Sequence, residues 1–504
     1  MKVGSRIFQY ILGFIIVLFL IVLLKTAWVS DDAYITFRSV ENFIHGYGLV
    51  HNVGERVQTY THPLWFFLQS GANYFFQKVL SFDFWSQMYY VNIILSISIS
   101  AVTILVLSFS VAKTVQGAIA AILILINSKA FMDYSTSGLE NPLTHLVIIL
   151  FFLVYIQNNW PLGKKLFLLS LLACLGALNR LDTILLFIPA LLIMFFQEGV
   201  TFRKFISISM GFAPLILWEF FSLFYYGTLF PNTAYAKLNT GISRLALINQ
   251  SVKYYKHSLA EDPITLIVIA GTVLFVLIKR TKSAIPFVIS IFLYLGYVLM
   301  IGGDFMSGRF FAVILLIAAA VLSREINVEK QSLYYGILLT VVLLGVFNPS
   351  SPLCSALDYG EGDFHQYVDE YGISDERAVY YSYLGLLSPN KDKGFPGSKY
   401  SGADWIYDEN KRRVELVGPL GVEGYSLGPN VHVIDKNSLS DPLMTRLPLS
   451  DPDNWRIGHF KHSIPAGYLE TLSSGKNEIH DPDIAAYYGI LRFIVRGDLF
   501  NPER

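Results

Sequence analysis

Charge is what this sequence has least of. Asp, Glu, Lys and Arg make up 15% of its 504 residues, where a soluble globular chain carries about 25%. Together with 53% hydrophobic residues and long apolar runs, the deficit excludes an ordinary soluble domain and points to the membrane class. Acidic and basic residues number 38 each, so the zero net charge gives no basis for a nucleic-acid partner. The two cysteines, Cys174 and Cys354, cannot form a disulfide scaffold. One lies in an apolar run and the other in a polar region, so neither is expected to be bridged. There is no Walker motif, no Cys/His metal cluster and no G-x-S-x-G elbow. The Gly-rich patches lack the strand-turn-helix setting of a nucleotide fold. Internal repeats and low-complexity tracts are also missing. The apolar run from Phe8 to Leu24 follows Lys2 and Arg6 as a signal peptide would. It passes into Lys25-Thr26-Ala27-Trp28 without an A-x-A-like cleavage site, and so reads as an uncleaved first span.

What the chain does contain is a succession of stretches close to the 20 or so apolar residues that a bilayer requires. About eleven are expected, centred near Phe14, Ser100, Ile122, Ile149, Leu171, Pro189, Pro214, Ile269, Phe292, Leu316 and Thr340. With a cytoplasmic N-terminus, the inside connections carry Lys113, Lys164-Lys165, Arg203-Lys204, Lys279-Arg280-Lys282, and Arg324 with Lys330, as the positive-inside rule requires. The segments Lys25 to Tyr89 and Tyr226 to Asp262 then lie outside, as does everything after about Asn348. The expected fold is an α-helical polytopic membrane protein. A bundle would cover residues 1–348, with its first outer loop at about 25–89, and an extracytoplasmic α+β domain would cover 349–504. Val431–Ile434 and Leu491–Val495 are read as strands of that domain. The segment Ser30–Ile44 reads as an interfacial helix with Tyr34, Phe37, Val40 and Ile44 on one face. Gly46 and Gly48 end it, and His51 to Glu55 form a turn.

The polar clusters fall on the outer side, where ionisable groups at membrane depth are costly and often functional. In Ser30-Asp31-Asp32, Ser30 can cap the helix, and acidic residues suit its first turn. Neighbouring helix residues do not share a face. One aspartate is therefore expected to point into a site, as a general base toward a sugar hydroxyl, and the other to cap or position. In Gly302-Gly303-Asp304 to Arg309, the glycines allow close backbone approach. Arg309 opposes the dipole of the helix it begins and so calls for an anion: Asp304 as salt-bridge partner, or a phosphate held with the helix N–H groups. Arg180 and Asp182, in Asn179-Arg180-Leu181-Asp182, suit helix ends by charge alone. Glu140, in Glu140-Asn141-Pro142, begins a span and is also available as a ligand or base. His62, in Thr61-His62-Pro63, is read as structural or catalytic. Lys237 is a phosphate contact or a solvated charge. Tyr226 and Asn232, in Tyr225-Tyr226-Gly227 to Pro231-Asn232, complete the set.

These motifs in this order resemble a known family. The run Asp31-Asp32-Ala33-Tyr34-Ile35-Thr36-Phe37-Arg38 is followed by Gly46-Tyr47-Gly48-Leu49-Val50, Asn52, Gly54-Glu55-Arg56-Val57 and Tyr60-Thr61. Together these resemble the first outer loop of the AftB family of mycobacterial terminal arabinofuranosyltransferases and its wider bacterial relatives. Gly138-Leu139-Glu140, Arg180-Leu181-Asp182, Tyr226-Gly227, Pro231-Asn232 and Gly302-Gly303-Asp304-Phe305 match in order. So do Asp441-Pro442-Leu443, Arg446-Leu447-Pro448, Trp455-Arg456-Ile457-Gly458-His459 and Pro465-Ala466-Gly467-Tyr468. The resemblance implies a GT-C-type membrane glycosyltransferase that takes a sugar from a polyprenyl-phosphate donor. The acceptor would be an envelope glycan, lipid or protein outside the cytoplasmic membrane. It implies a catalytic role for Asp31 or Asp32. Under that reading His62, Arg180, Lys237 and Arg309 are the candidates for the donor phosphate, and Tyr60, Trp65, Tyr225 and Tyr226 for the sugar or prenyl path. No cofactor is required by the sequence; a divalent cation on the outer carboxylates is compatible with it. The competing class is a transporter or flippase of lipid-linked sugars, which predicts mid-membrane charges and an internal repeat.

Overall fold

The computed structural model describes residues 6–81, 86–238, 240–326, 331–348, 350–390 and 405–504. Lys2 and Lys330, used in the charge pattern above, lie outside the described residues. Among those described, four helices are long and apolar enough to cross a membrane: Arg6–Thr26, Gln87–Val111, Leu162–Asn179 and Phe202–Tyr226. A further pair, Arg244–Glu261 and Pro263–Lys279, passes the same test as one element bent by 105°. Shorter apolar helices occupy Val115–Asn127, Asn141–Tyr155, Leu181–Phe196, Ile285–Ile301 and Tyr334–Val346. On Phe202–Tyr226, Phe202, Leu217 and Phe220 are each more than three-fifths exposed (76%, 68% and 66%). Apolar surface of that extent is what lipid covers.

The bend has a local cause. Pro263 lacks an N–H and its ring opposes a continuous helix through the preceding turn. The Asp262 carboxylate accepts from the Ala130 N–H (2.8 Å), Ser128 Oγ (3.2 Å) and Thr265 Oγ1 (2.6 Å). The segment expected to be a long outer loop, Tyr226 to Asp262, instead contains the helices Asn232–Leu238 and Arg244–Glu261.

The chain forms two compact units. The first comprises Met1–Val29, Ile93–Leu215 and Arg244–Gly394; the second comprises Ser30–Asn92, Ile216–Ser243 and Phe395–Arg504. This grouping differs from a linear division at 348/349. Residues 350–390 belong with the apolar helices because backbone pairing ties them there. Ser374 N–H donates to Phe305 O (2.7 Å) and Ser307 N–H to Ser374 O (3.0 Å). In this unit the helix Arg309–Glu325 is buried along nearly its whole length.

In the second unit the first-loop residues are built into a soluble-type core. The helix Asp31–Ile44 starts as expected, with Ser30 Oγ accepting from the Ala33 N–H at 3.3 Å. It is not interfacial, however: almost every residue from Asp31 to Asn42 is buried, not one stripe alone. The reason is a partner on each side. Arg38 donates to the carbonyls of His51 (2.8 Å), Val431 (2.6 Å) and Gly424, and Asn42 Oδ1 accepts from Trp405 Nε1 at 2.9 Å. The strand Val431–Asp435 forms as expected and pairs in parallel with Arg413–Val417. Leu491–Val495 is corrected from strand to helix: it lies in Pro482–Arg496. Asp481 caps that helix, and Tyr488, Leu491 and Val495 recur at the three- and four-residue spacing of one buried helical face.

Candidate functional site

Three of the polar clusters meet in the first unit, around one carboxylate. Glu140 is the cap residue of Asn141–Tyr155, with Pro142 in the first turn, and is 1% exposed. Its Oε1 accepts from Arg180 Nη1 at 3.1 Å and Arg309 Nη2 at 2.9 Å. Arg180 leaves the helix Leu162–Asn179 in an extended conformation, which sends its side chain back across the helix end. Its Nε donates to Asp182 Oδ1 at 2.8 Å, and Asp182 Oδ2 accepts from the Tyr294 hydroxyl at 2.8 Å. Burial works against the Arg180 charge, but Asp182, Tyr294 and Glu140 outweigh it and hold the guanidinium pKa well above its ordinary value. Arg309 begins its helix as anticipated and has the anion that this placement calls for. Glu140 supplies it at short range, while Asp304 Oδ2 is 4.0 Å from Nη1. The Gly302-Gly303 pair serves packing here: a Cβ on Gly303, at φ +74°, would meet the Tyr254 Cβ at 2.7 Å.

The second unit holds the acidic pair and separates its two members. Asp31 is buried. Its carboxylate accepts from the Val422 N–H at 2.8 Å and the Gly421 N–H at 3.1 Å, so that it caps the short helix Val422–Ser426. Gly421 is obligatory for this approach: a Cβ there would lie 1.8 Å from Asp31 O. Burial pushes the Asp31 carboxyl up to about 7, against the pull of the two backbone N–H groups. Asp32 is half-buried. It lies one turn before Thr36 and so on the same helix face, and Thr36 Oγ1 is 2.9 Å from His62 Nε2. His62 precedes the helix Pro63–Tyr74 and is buried. Asp32, Thr36 and His62 thus share one face of the unit.

The other candidates have structural partners. The Asn232 amide donates to the carbonyls of Ser438, Leu439 and Asp441, each at 3.1 Å, which makes it a clamp on that turn. Tyr226 is buried, hydrogen-bonded to the Tyr60 hydroxyl at 2.8 Å and donating to Leu49 O at 2.9 Å. Beside it is a cavity of about 120 Å³ lined by Gly227, Arg446, Tyr487 and Ile494. Lys237 is half-buried in the helix Asn232–Leu238. A larger cavity of 380 Å³, lined by Tyr155, Trp160, Lys165 and Arg324, contains none of the candidate residues. Among the described residues no group of three or more His, Cys, Asp or Glu could hold a metal ion.

Sequence reasoning passed over a buried ion cluster in the first unit. Lys129 pairs with Asp133 and with Asp375 (2.9 Å), and Arg377 Nε lies 2.7 Å from Asp133 Oδ1. The Arg377 guanidinium stacks on Tyr359 at 3.9 Å. The signal was legible: Lys129 and Asp133, four apart, are lone charges in an apolar region. The role is structural, since these contacts fasten residues 350–384 to the unit.

Several helices long and apolar enough to cross a membrane point to a membrane protein. No family model matches the sequence, and no solved structure matches it. The chain is 24% identical, over 526 aligned residues, to the terminal beta-(1->2)-arabinofuranosyltransferase of Mycobacterium tuberculosis (strain ATCC 25618 / H37Rv). The alignment covers 87% of this chain and 81% of that protein. The likeness supports a glycosyltransferase function in general, with a sugar donor and a glycan acceptor.

Proposed function

We propose that this protein is a GT-C-type membrane glycosyltransferase with about eleven spans. It would move a sugar, a pentofuranose such as arabinofuranose, from a polyprenyl-phosphate donor to an envelope glycan, lipid or protein acceptor. The reaction takes place on the outer face of the cytoplasmic membrane. The observation that carries this reading is the likeness to an arabinofuranosyltransferase along 87% of the chain.

The geometry supports particular roles. Asp31 is committed to two backbone N–H groups, so it is the positioning member of the pair. Asp32 is the base: it takes the proton from the acceptor hydroxyl as that oxygen bonds to the anomeric carbon and the carbon–phosphate oxygen bond breaks. Direct displacement inverts the anomeric centre. Arg180 and Arg309, held by Glu140 in the first unit, remain candidates for a donor phosphate by their charge. His62 and Lys237 are further phosphate candidates.

The test is transfer of radiolabelled sugar from a polyprenyl-phosphate donor by purified protein. Asp32→Asn is expected to abolish transfer at an unchanged thermal midpoint; Asp31→Asn lowers both. Normal transfer by Asp32→Asn removes the base assignment. Failure with every lipid-linked donor, together with lipid scrambling in vesicles, would replace the enzyme by a transporter.

A further inference from the structure

A second arrangement in the first unit uses none of the side chains proposed above for glycosyl transfer. Ser307 Oγ is 3.1 Å from His257 Nε2, and His257 Nδ1 is 2.9 Å from Asp369 Oδ2. The three residues come from distant parts of the chain: the turn before Arg309–Glu325, the helix Arg244–Glu261, and the segment after it leaves the apolar helices. Each is half-buried and so open to solvent.

The other oxygen of Asp369, Oδ1, accepts from the backbone N–H groups of Tyr371 (2.9 Å) and Ile373 (2.8 Å). Burial raises the Asp369 pKa, but the His257 and backbone hydrogen bonds outweigh it and lower it below the ordinary carboxylate value. The carboxylate is therefore ionised and can only accept. His257 Nδ1 must carry the hydrogen. This leaves the Nε2 lone pair to accept from the Ser307 hydroxyl, the direction required to activate a serine nucleophile. The next residue, Gly308, is buried, and among the described residues its N–H has no hydrogen-bond acceptor. An N–H on the residue after the nucleophile is a donor that acyl-transfer sites use to hold the oxyanion.

We infer that Ser307, His257 and Asp369 form a serine-nucleophile site for carboxylic esters, with Ser307 and His257 catalytic and Asp369 positioning. The neighbouring groups are polar: Lys253 Nζ lies over the Tyr371 ring at 4.4 Å, and Gln250 donates to Tyr371 O at 2.9 Å. They suit a short-chain ester of a polar alcohol such as a sugar. In the first half-reaction Ser307 Oγ bonds to the ester carbonyl carbon and its proton passes to His257 Nε2. The bond from that carbon to the alcohol oxygen then breaks, and the alcohol departs with the proton. In the second half-reaction water adds to the acyl-serine, giving its proton to His257. The carboxylic acid leaves and the proton returns to Ser307.

The experiment is labelling of the purified full-length protein with a fluorophosphonate probe, with the adduct located by peptide mass spectrometry. p-Nitrophenyl acetate hydrolysis is measured in parallel. The expected adduct is on Ser307. Ser307→Ala and His257→Gln should lose more than about tenfold in labelling and hydrolysis. Asp369→Asn should lose a comparable factor and Asp369→Glu recover part of it, which a merely structural link would not do. No adduct on the unaltered protein, or an adduct elsewhere that persists in Ser307→Ala, overturns the assignment. No sugar donor is present, so the outcome is independent of glycosyl transfer.

Discussion

Glu140 offers the sharpest energetic test, because its two arginines are not equally dependent on it. Arg180 keeps Asp182 at 2.8 Å if Glu140 is lost. For Arg309 the Asp304 carboxylate stands farther off, at 4.0 Å. Glu140 is 1% exposed at its side chain, and the arginines 16% and 13%, so solvent screening is slight. Removing one partner from a buried, hydrogen-bonded pair costs about 3–5 kcal/mol, much of it from the charge left behind. Glu140→Gln keeps the shape and removes the charge, and should cost about 3 kcal/mol on that basis. A double-mutant cycle separates the pairs. Coupling of Glu140 with Arg309, measured with Arg309→Met, should be about 2 kcal/mol, the scale of a charged hydrogen bond. Coupling with Arg180, measured with Arg180→Met, should be smaller, about 1 kcal/mol, because Asp182 remains. Thermal midpoints of the four proteins of each cycle in one detergent provide the measurement. Equal couplings, or a Glu140→Gln protein as stable as the parent, would refute the account of Glu140 as the shared anion.

Two further outcomes follow from the second unit. Burial holds the folded Asp31 pKa at about 7, above the ordinary 3.8, so the folded state binds this proton more tightly. The stability it contributes is present below about pH 4 and is lost as the pH rises to about 7, by at most about 4 kcal/mol. The thermal midpoint should fall between pH 5 and pH 8, and Asp31→Asn should flatten that fall; a midpoint rising over this range contradicts the buried cap. Gly421→Ala should destabilise as strongly as a core overpacking change, about 1–3 kcal/mol, since its Cβ would have to displace the Asp31 backbone. A stable Gly421→Ala protein with normal sugar transfer would show that Asp31 does not need this contact.

Local features were written plainly in the chain. Low charge and long apolar runs pointed to the membrane class, whatever the packing, because apolar surface on that scale has to be covered. Ser30 as cap, Pro142 in a first turn and the strand at Val431 follow from residue type and immediate neighbours. Arg309 at a helix start required an anion, and one is there. The division of labour between Asp31 and Asp32 was legible only as an expectation of difference, because helix geometry separates neighbours without saying what each will meet.

What the neighbours are was decided by the tertiary structure. Asp31 became the capping residue because Gly421 and Val422, almost four hundred positions away, each bring an N–H group to it. Glu140, Arg180 and Arg309 became one network because three helix ends converge. The helix Asp31–Ile44 is buried on more than one stripe, and Leu491–Val495 is helical, because of partners that no local periodicity names. The Ser307, His257 and Asp369 alignment has no sequence signature at all, since nothing in the spacing of three ordinary residues marks them as neighbours. Burial, polarity and cap chemistry are properties of a residue and its near sequence, so the sequence determines them. Hydrogen-bond partners across long stretches of chain depend on which surfaces close together, and only the folded protein fixes that.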